Sequence, residues 1–149
     1  MLARHVKGAP NDRTLILVGE RAAEAGGMRE EQFRAVLQAV KILEGAATPY
    51  HVLFTGGVYG LEHSHGERPA ALLARDFLER AGETYRPHIS IEQFSQNTGH
   101  QARVIGQIVQ SVGFQRIVVC IPIEHIARFA ATLAFDLDQR NLRTPFLFL

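Results

Sequence analysis

The chain has 149 residues, 46% hydrophobic and 21% charged, which excludes a wholly disordered polypeptide and suits one domain with a single core. Its formal net charge is +1, so no global electrostatic case for nucleic-acid binding exists. The lone Cys120 excludes an internal disulfide and a multi-cysteine zinc site.

Residues 1–13 contain Gly8, Pro10, Asn11 and Asp12 and read as an irregular lead-in to a single α/β domain over 14–149. The run Thr14-Leu15-Ile16-Leu17-Val18 is continuously apolar after its first residue and stops at Gly19, the pattern of a strand buried on both faces. Phe33, Val36, Leu37 and Val40 then recur at helical spacing and predict a helix over 28–44, with Gly45 as its stop. A second strand is expected over 51–55, closed by Gly56-Gly57.

A polar loop over 58–67 leads to a helix over 69–81, with Pro69 suited to its first turn and Gly82 to its C-terminal cap. A short third strand is expected over 88–92. Ile105, Ile108, Val109 and Val112 mark one face of a helix that ends at Gly113. The run Ile117-Val118-Val119-Cys120-Ile121 is the clearest strand. After Pro122, the residues Ile126, Phe129, Ala130, Leu133 and Leu137 mark the last helix, and 146–149 reads as an edge strand.

Alternation of strands and helices predicts a Rossmann-like three-layer α/β sandwich, a mostly parallel sheet with helices on both faces. In open sheets of this kind ligands bind beyond the carboxyl ends of the strands, near the switch point of strand order. The polar residues of interest follow those ends. Gly56 and Gly57 allow a ligand close to the backbone, or make a plain tight turn. No GxGxxG or Walker loop is present, which argues against a nicotinamide dehydrogenase or a P-loop ATPase.

Within Glu92-Gln93-Phe94-Ser95-Gln96-Asn97-Thr98, the residues Ser95, Asn97 and Thr98 are each candidate helix caps or donors to an anion at the helix start. In Glu124-His125-Ile126-Ala127-Arg128, His125 suits acid–base work and Arg128 suits a phosphate or carboxylate. The alternative there is a surface pair, with Arg128 closing on Glu124. His63 and His65 lie in a polar loop with no specific metal-ligand spacing, so no metal is assigned. Cys120 is read as inert core packing.

These segments, in this order, resemble the DUF218 family of bacterial proteins (the SanA, ElyC and YdcF group). The resemblance rests on Phe54-Thr55-Gly56-Gly57, on Glu92 through Thr98, and on the strand from Val118 leading into His125-Ile126-Ala127-Arg128. It implies a Rossmann-like domain with a polar cleft shared by Gly56, Gly57, Glu92, Ser95, Asn97, Thr98, His125 and Arg128, and one branch of the family is linked to S-adenosylmethionine. The chain departs from the family pattern after Thr98, where Gly99-His100-Gln101 replaces an expected acidic continuation.

The resulting expectation is a domain that binds a small anionic ligand, phosphorylated or nucleotide-like. His125 and Glu92 are the candidate catalytic pair, with Glu92 orienting His125 or binding a hydroxyl. Gly56, Gly57, Ser95, Asn97, Thr98 and Arg128 are the candidate binding residues. The chemistry that suits them is phosphoryl or glycosyl-phosphate hydrolysis or transfer. The alternatives are a non-catalytic S-adenosylmethionine or nucleotide-binding module, or a scaffold with a vestigial cleft. The apolar edge 146–149 offers a surface for homo-oligomers. No apolar run approaches the roughly 20 residues of a membrane-spanning helix, and 1–13 lacks a signal-peptide core, so a cytoplasmic protein is expected.

Overall fold

The computed structural model describes residues 13–19, 28–56, 69–82, 88–95 and 97–149. Strands β1 (Thr14–Val18), β2 (Tyr50–Thr55), β3 (Ile89–Glu92), β4 (Arg116–Cys120) and β5 (Phe146–Phe148) alternate with helices α1 (Glu30–Gly45), α2 (Pro69–Ala81), α3 (Thr98–Val112) and α4 (Ile126–Gln139). A single 3-10 turn, Ile123–His125, precedes α4.

The described strands form one sheet in the order β3-β2-β1-β4-β5, and every pairing is parallel. Strand order therefore runs outward from β1 in one direction and then restarts at β4 in the other. The switch point lies between β1 and β4. Val18 pairs with both Phe54 and Cys120, so the three central strands end level with one another.

Side chains alternate across this sheet as strand geometry requires. Ile16, Val18, Val52, Phe54 and Cys120 face α1 and α2 on one side. Leu15, Leu17, Leu53, Ile117, Val119 and Ile121 face α3 and α4 on the other. This is the Rossmann-like three-layer sandwich. β1 is buried at every position, because it is central and covered on both faces.

The element ends follow local chemistry. β4 stops at Cys120, one residue before the predicted run, because Pro122 just beyond it has no N–H for a ladder. α1 continues through Gly45 and is closed by Ala46 N–H donating to the Ile42 carbonyl at 3.0 Å. Gly113, at φ 84°, caps α3 in the left-handed conformation that glycine adopts without a Cβ penalty.

α2 also fixes the entry to α1. The Asp76 carboxylate accepts from Met28 N–H at 2.7 Å. Arg80 bonds Glu30 and Asp76 and lies 4.1 Å from the centre of the Phe33 ring.

Leu17, fully buried on the α3–α4 face of β1, tests this core. Leu17→Ala is expected to lower unfolding stability by about 2–5 kcal/mol. Urea denaturation would show this as a shifted midpoint with an unchanged slope.

Candidate functional site

The carboxyl ends of the strands carry two kinds of polar group. The first is a closed network. β2 and β3 pair so that Thr55 lies opposite Glu92. The Glu92 side chain is 8% exposed and accepts four hydrogen bonds. Thr55 Oγ1 and Ser95 Oγ donate to Oε2 at 2.7 and 2.8 Å. Phe94 N–H and Ser95 N–H donate to Oε1 at 2.8 and 2.7 Å. Burial alone would raise the Glu92 pKa, but the bonds from Thr55, Ser95 and Phe94 outweigh it and hold the carboxyl below its ordinary range.

Gln101 completes the chain of donors, its Nε2 bonding Thr55 Oγ1 at 3.0 Å. Gly19 is packed into the same corner. A Cβ at Gly19 would sit 2.7 Å from Thr55 Cγ2 and 3.3 Å from Gln101 Nε2, so only glycine fits there without displacing the network. Gly56, at φ 154°, leaves the end of β2 by donating its N–H to the Glu92 carbonyl at 2.9 Å.

The second kind of group is open. Asn97 is the N-cap of α3: its Oδ1 accepts from His100 N–H at 2.8 Å. This separates the roles of the three candidate caps. Ser95 belongs to the Glu92 network, Asn97 caps, and Thr98 begins the helix. α3 and α4 lie on the same side of the sheet and run parallel, since each connects parallel strands.

Their contact is tight at Gly106, where a Cβ would fall 1.8 Å from Asp136 Oδ2. Gly99 lies seven residues earlier, two turns back on the same helix face. A Cβ there would meet only Asn97 Oδ1 at 3.3 Å and Arg103 Nη1 at 3.9 Å, with no α4 atom within 4 Å. The two helices thus touch at Gly106, while a Cβ at Gly99 would press on the Asn97 cap and not on α4. Counting eight residues back from both Gly106 and Asp136, about 12 Å along each axis, places Thr98 level with Arg128.

His125 immediately precedes α4, and Arg128 is exposed in its first turn. Neither α3 nor α4 has an acid in its first turn. Arg128 is not closed by Glu124. That carboxylate instead binds Arg29 at 2.6 Å, and the hydrogen bond from Arg29 holds the exposed Glu124 carboxyl below its usual range.

A cavity of about 540 Å³ opens at the carboxyl ends of β4 and β5. Its walls include Cys120, Ile121, Pro122, Ile126 and Phe148, with Gln32 from α1. Gln32 Nε2 donates to the Gly19 carbonyl at 3.0 Å and to the Cys120 carbonyl at 3.1 Å, joining the ends of β1 and β4. Its Oε1 is buried and accepts no hydrogen bond, and the same holds for Gln101 Oε1. Cys120 is 1% exposed, and burial pushes its thiol up to about 12, as expected for inert packing.

Thr98 and Arg128 are brought to one level by helix packing, but Glu92 and His125 are not brought together. β3 and β4 are three strand spacings apart, about 14 Å, so Glu92 does not orient His125. Gly57, His63, His65 and Gln96 lie outside the described residues. Among the described residues, no three His, Cys, Asp or Glu are placed to hold a metal, and no helix is long and apolar enough to cross a membrane.

Gln32 and Gln101 were not singled out from the sequence, and Thr55 only as the residue ahead of Gly56-Gly57. The signal for the two glutamines was available, because each falls in phase with an apolar helix stripe: Gln32 with Val36 and Val40, Gln101 with Ile105 and Val109. Comparison with family models, curated proteins and solved structures finds no significant match to this chain.

Glu92→Gln is expected to lower stability by about 1–3 kcal/mol at neutral pH, because an amide cannot accept all four bonds. The folded-state pKa of Glu92 is depressed, so its ionisation contributes stability that is fully present above the unfolded value of about 4.3. That stability is lost as pH falls through the folded-state value. Denaturation of wild type and variant from pH 7 down to pH 3 should show the gap between them closing on the acid side.

Proposed function

We propose that this chain binds a small anionic ligand, phosphorylated or nucleotide-like, beside the first turns of α3 and α4. The observation that carries this reading is the N-terminus of α3, capped by Asn97 with no acid in its first turn, level with the exposed Arg128 of α4. Helix N-termini present free N–H groups and a partial positive charge. α1 offers a contrast: Glu30 and Glu31 occupy its first turn, so its dipole is already answered. Asn97, Thr98, His125 and Arg128 are the polar groups near these helix starts, and Arg128 is the cation suited to a phosphate.

The order of these segments is also what suggests kinship with the DUF218 family. The chemistry that suits them is phosphoryl or glycosyl-phosphate hydrolysis or transfer, with His125 as the proton carrier. One observation favours a second reading, a nucleotide or S-adenosylmethionine module that binds without turnover. Glu92 is fully engaged by Thr55, Phe94 and Ser95, which withdraws the acid proposed to act with His125.

Gly99→Asp places a carboxylate in the first turn of α3, where it should repel an anion. Thermal unfolding with inorganic phosphate and nucleotides is the measurement. Saturation at about 100 times the dissociation constant adds roughly 2.7 kcal/mol and several degrees to the wild-type midpoint. Gly99→Asp and Arg128→Ala should lose that shift, with circular dichroism verifying that both variants are folded. A shift that persists in both variants places the anion elsewhere. Turnover that survives His125→Ala removes the histidine from the chemistry and leaves the binding reading in place.

A further inference from the structure

We infer that the open edge of β5 pairs with a second copy of this chain, the two β5 strands lying antiparallel about Leu147 so that two sheets become one. The inference is independent of the proposed ligand.

β5 is an edge strand of the described sheet. The Pro145 carbonyl accepts from Ile117 N–H at 3.0 Å, and Leu149 N–H donates to the Val119 carbonyl at 3.1 Å. Successive residues of a strand direct their main-chain groups to opposite sides, so Phe146 and Phe148 turn their N–H and C=O groups away from β4. Among the described residues, no strand takes them. Pro145 does not block this edge, because its carbonyl, and with it the missing N–H, is on the β4 side. Edge strands are commonly protected by charged side chains, yet β5 and its next residue read Phe146-Leu147-Phe148-Leu149. β3, at the other edge, carries Ser90 and Glu92.

This edge is complementary to itself. A two-fold axis at Leu147 sets Phe146 opposite the partner's Phe148, and Phe148 opposite the partner's Phe146. Each of these pairs exchanges both of its N–H···O bonds. Leu147, 51% exposed, then meets the partner's Leu147 in a non-hydrogen-bonded pair, with Cβ atoms about 4.5–5.5 Å apart.

α4 fits the same axis. It connects β4 to β5, and its Leu133 and Leu137 share a core with Phe146 and Phe148. Strands lie about 4.8 Å apart, so a helix above the β4–β5 pair stands two spacings, about 10 Å, from its two-fold mate. Packed helices have interaxial distances of roughly 8–10 Å, and an approach that close needs small side chains at the contact. At about 100° per residue, with buried Leu133 as the centre, Asp136 lies about 60° to one side. That side faces α3, which Asp136 meets at Gly106. Ala130, Ala134 and Ala127 lie about 60°, 100° and 120° to the other side, toward the β5 edge. The flank that the partner's α4 approaches is therefore built of alanines.

The test is sedimentation equilibrium of the full chain, with cysteine cross-linking to read the register. Wild type should be a dimer at micromolar concentration. Leu147→Lys sets like charges opposite each other, and Ala134→Arg fills the space between the helices. Each should raise the dissociation constant about tenfold or more. Both positions are exposed, and circular dichroism verifies that the variants are folded. Phe135→Ser, on the outer face of α4, should leave the dimer unchanged. On oxidation, Leu147→Cys should give a disulfide-linked dimer and the exposed Gln139→Cys should not. Native Cys120, 1% exposed, does not compete.

A wild type that stays monomeric to millimolar concentration overturns the inference. So does a dimer that Leu147→Lys leaves intact, or one that Phe135→Ser dissolves. A dimer that does not cross-link through Leu147→Cys, or cross-links equally through Gln139→Cys, overturns the register about Leu147. Loss of the dimer in Leu147→Lys with retention in Ala134→Arg supports the strand pairing and overturns the helix contact.

Discussion

Burial of β1 on both faces and pairing of β1 on both edges is the constraint from which the rest of the site follows. A central strand can satisfy its main-chain groups through its neighbours only as far as the ladder runs. At its carboxyl end, Gly19 N–H still reaches the Cys120 carbonyl at 3.5 Å, but the Gly19 carbonyl has no strand partner and is taken by Gln32 at 3.0 Å. On the other side of Gly19 stand Thr55 and Gln101, close enough that no side chain fits. The end of β1 is thus held between one glutamine from α1 and one from α3. The buried polar network is the solution to ending a buried strand.

The same constraint explains why Glu92 is a positioning residue in this protein. A carboxylate so deeply buried must be paired or hydrogen-bonded, and four donors from β2 and the 94–95 turn meet that demand. Their effect is mechanical: they tie β3 to β2 and set the path of the chain toward Asn97. The start of α3 is presented from a rigid corner, and the open groups at Asn97, Thr98 and Gly99 inherit that rigidity. A buried charge and an exposed helix end, adjacent in sequence, therefore do separate work.

Charge placement among the helix starts gives the edge of the sheet its polarity. α1 begins with Glu30 and Glu31, whereas α3 and α4 begin without acids. The apolar cavity lies between these regions, bounded by α1 on one side and α4 on the other.

The architecture was legible in the sequence because its signals are local. Continuous apolar runs, helical spacing and glycine stops marked the elements at 14–18, 28–44, 69–81 and 117–121 within a residue or two, and their alternation implied a parallel sheet. Two shifts were set by main-chain hydrogen bonding: β4 ending at Cys120 ahead of Pro122, and α1 running on through Gly45. The turns that follow β3 and β4 were also legible, since parallel crossovers put them on one edge, while 20–27 and 57–68 lie outside the described residues. What the sequence by itself determined was this set of elements and the identity of the polar residues at their ends.

Only the tertiary structure decided which of those residues meet. Strand order placed β3 and β4 on opposite sides of β1 and so parted Glu92 from His125. Register set Thr55 against Glu92, and the close approach of Gly106 to Asp136 brought Thr98 level with Arg128. Gln32 and Gln101, which read as exceptions in apolar stripes, became the partners of Gly19 and Thr55. The physical reason is that hydrophobic periodicity reports whether a side chain is buried, while its partner is fixed by which elements pack together, an arrangement that no local stretch of sequence encodes.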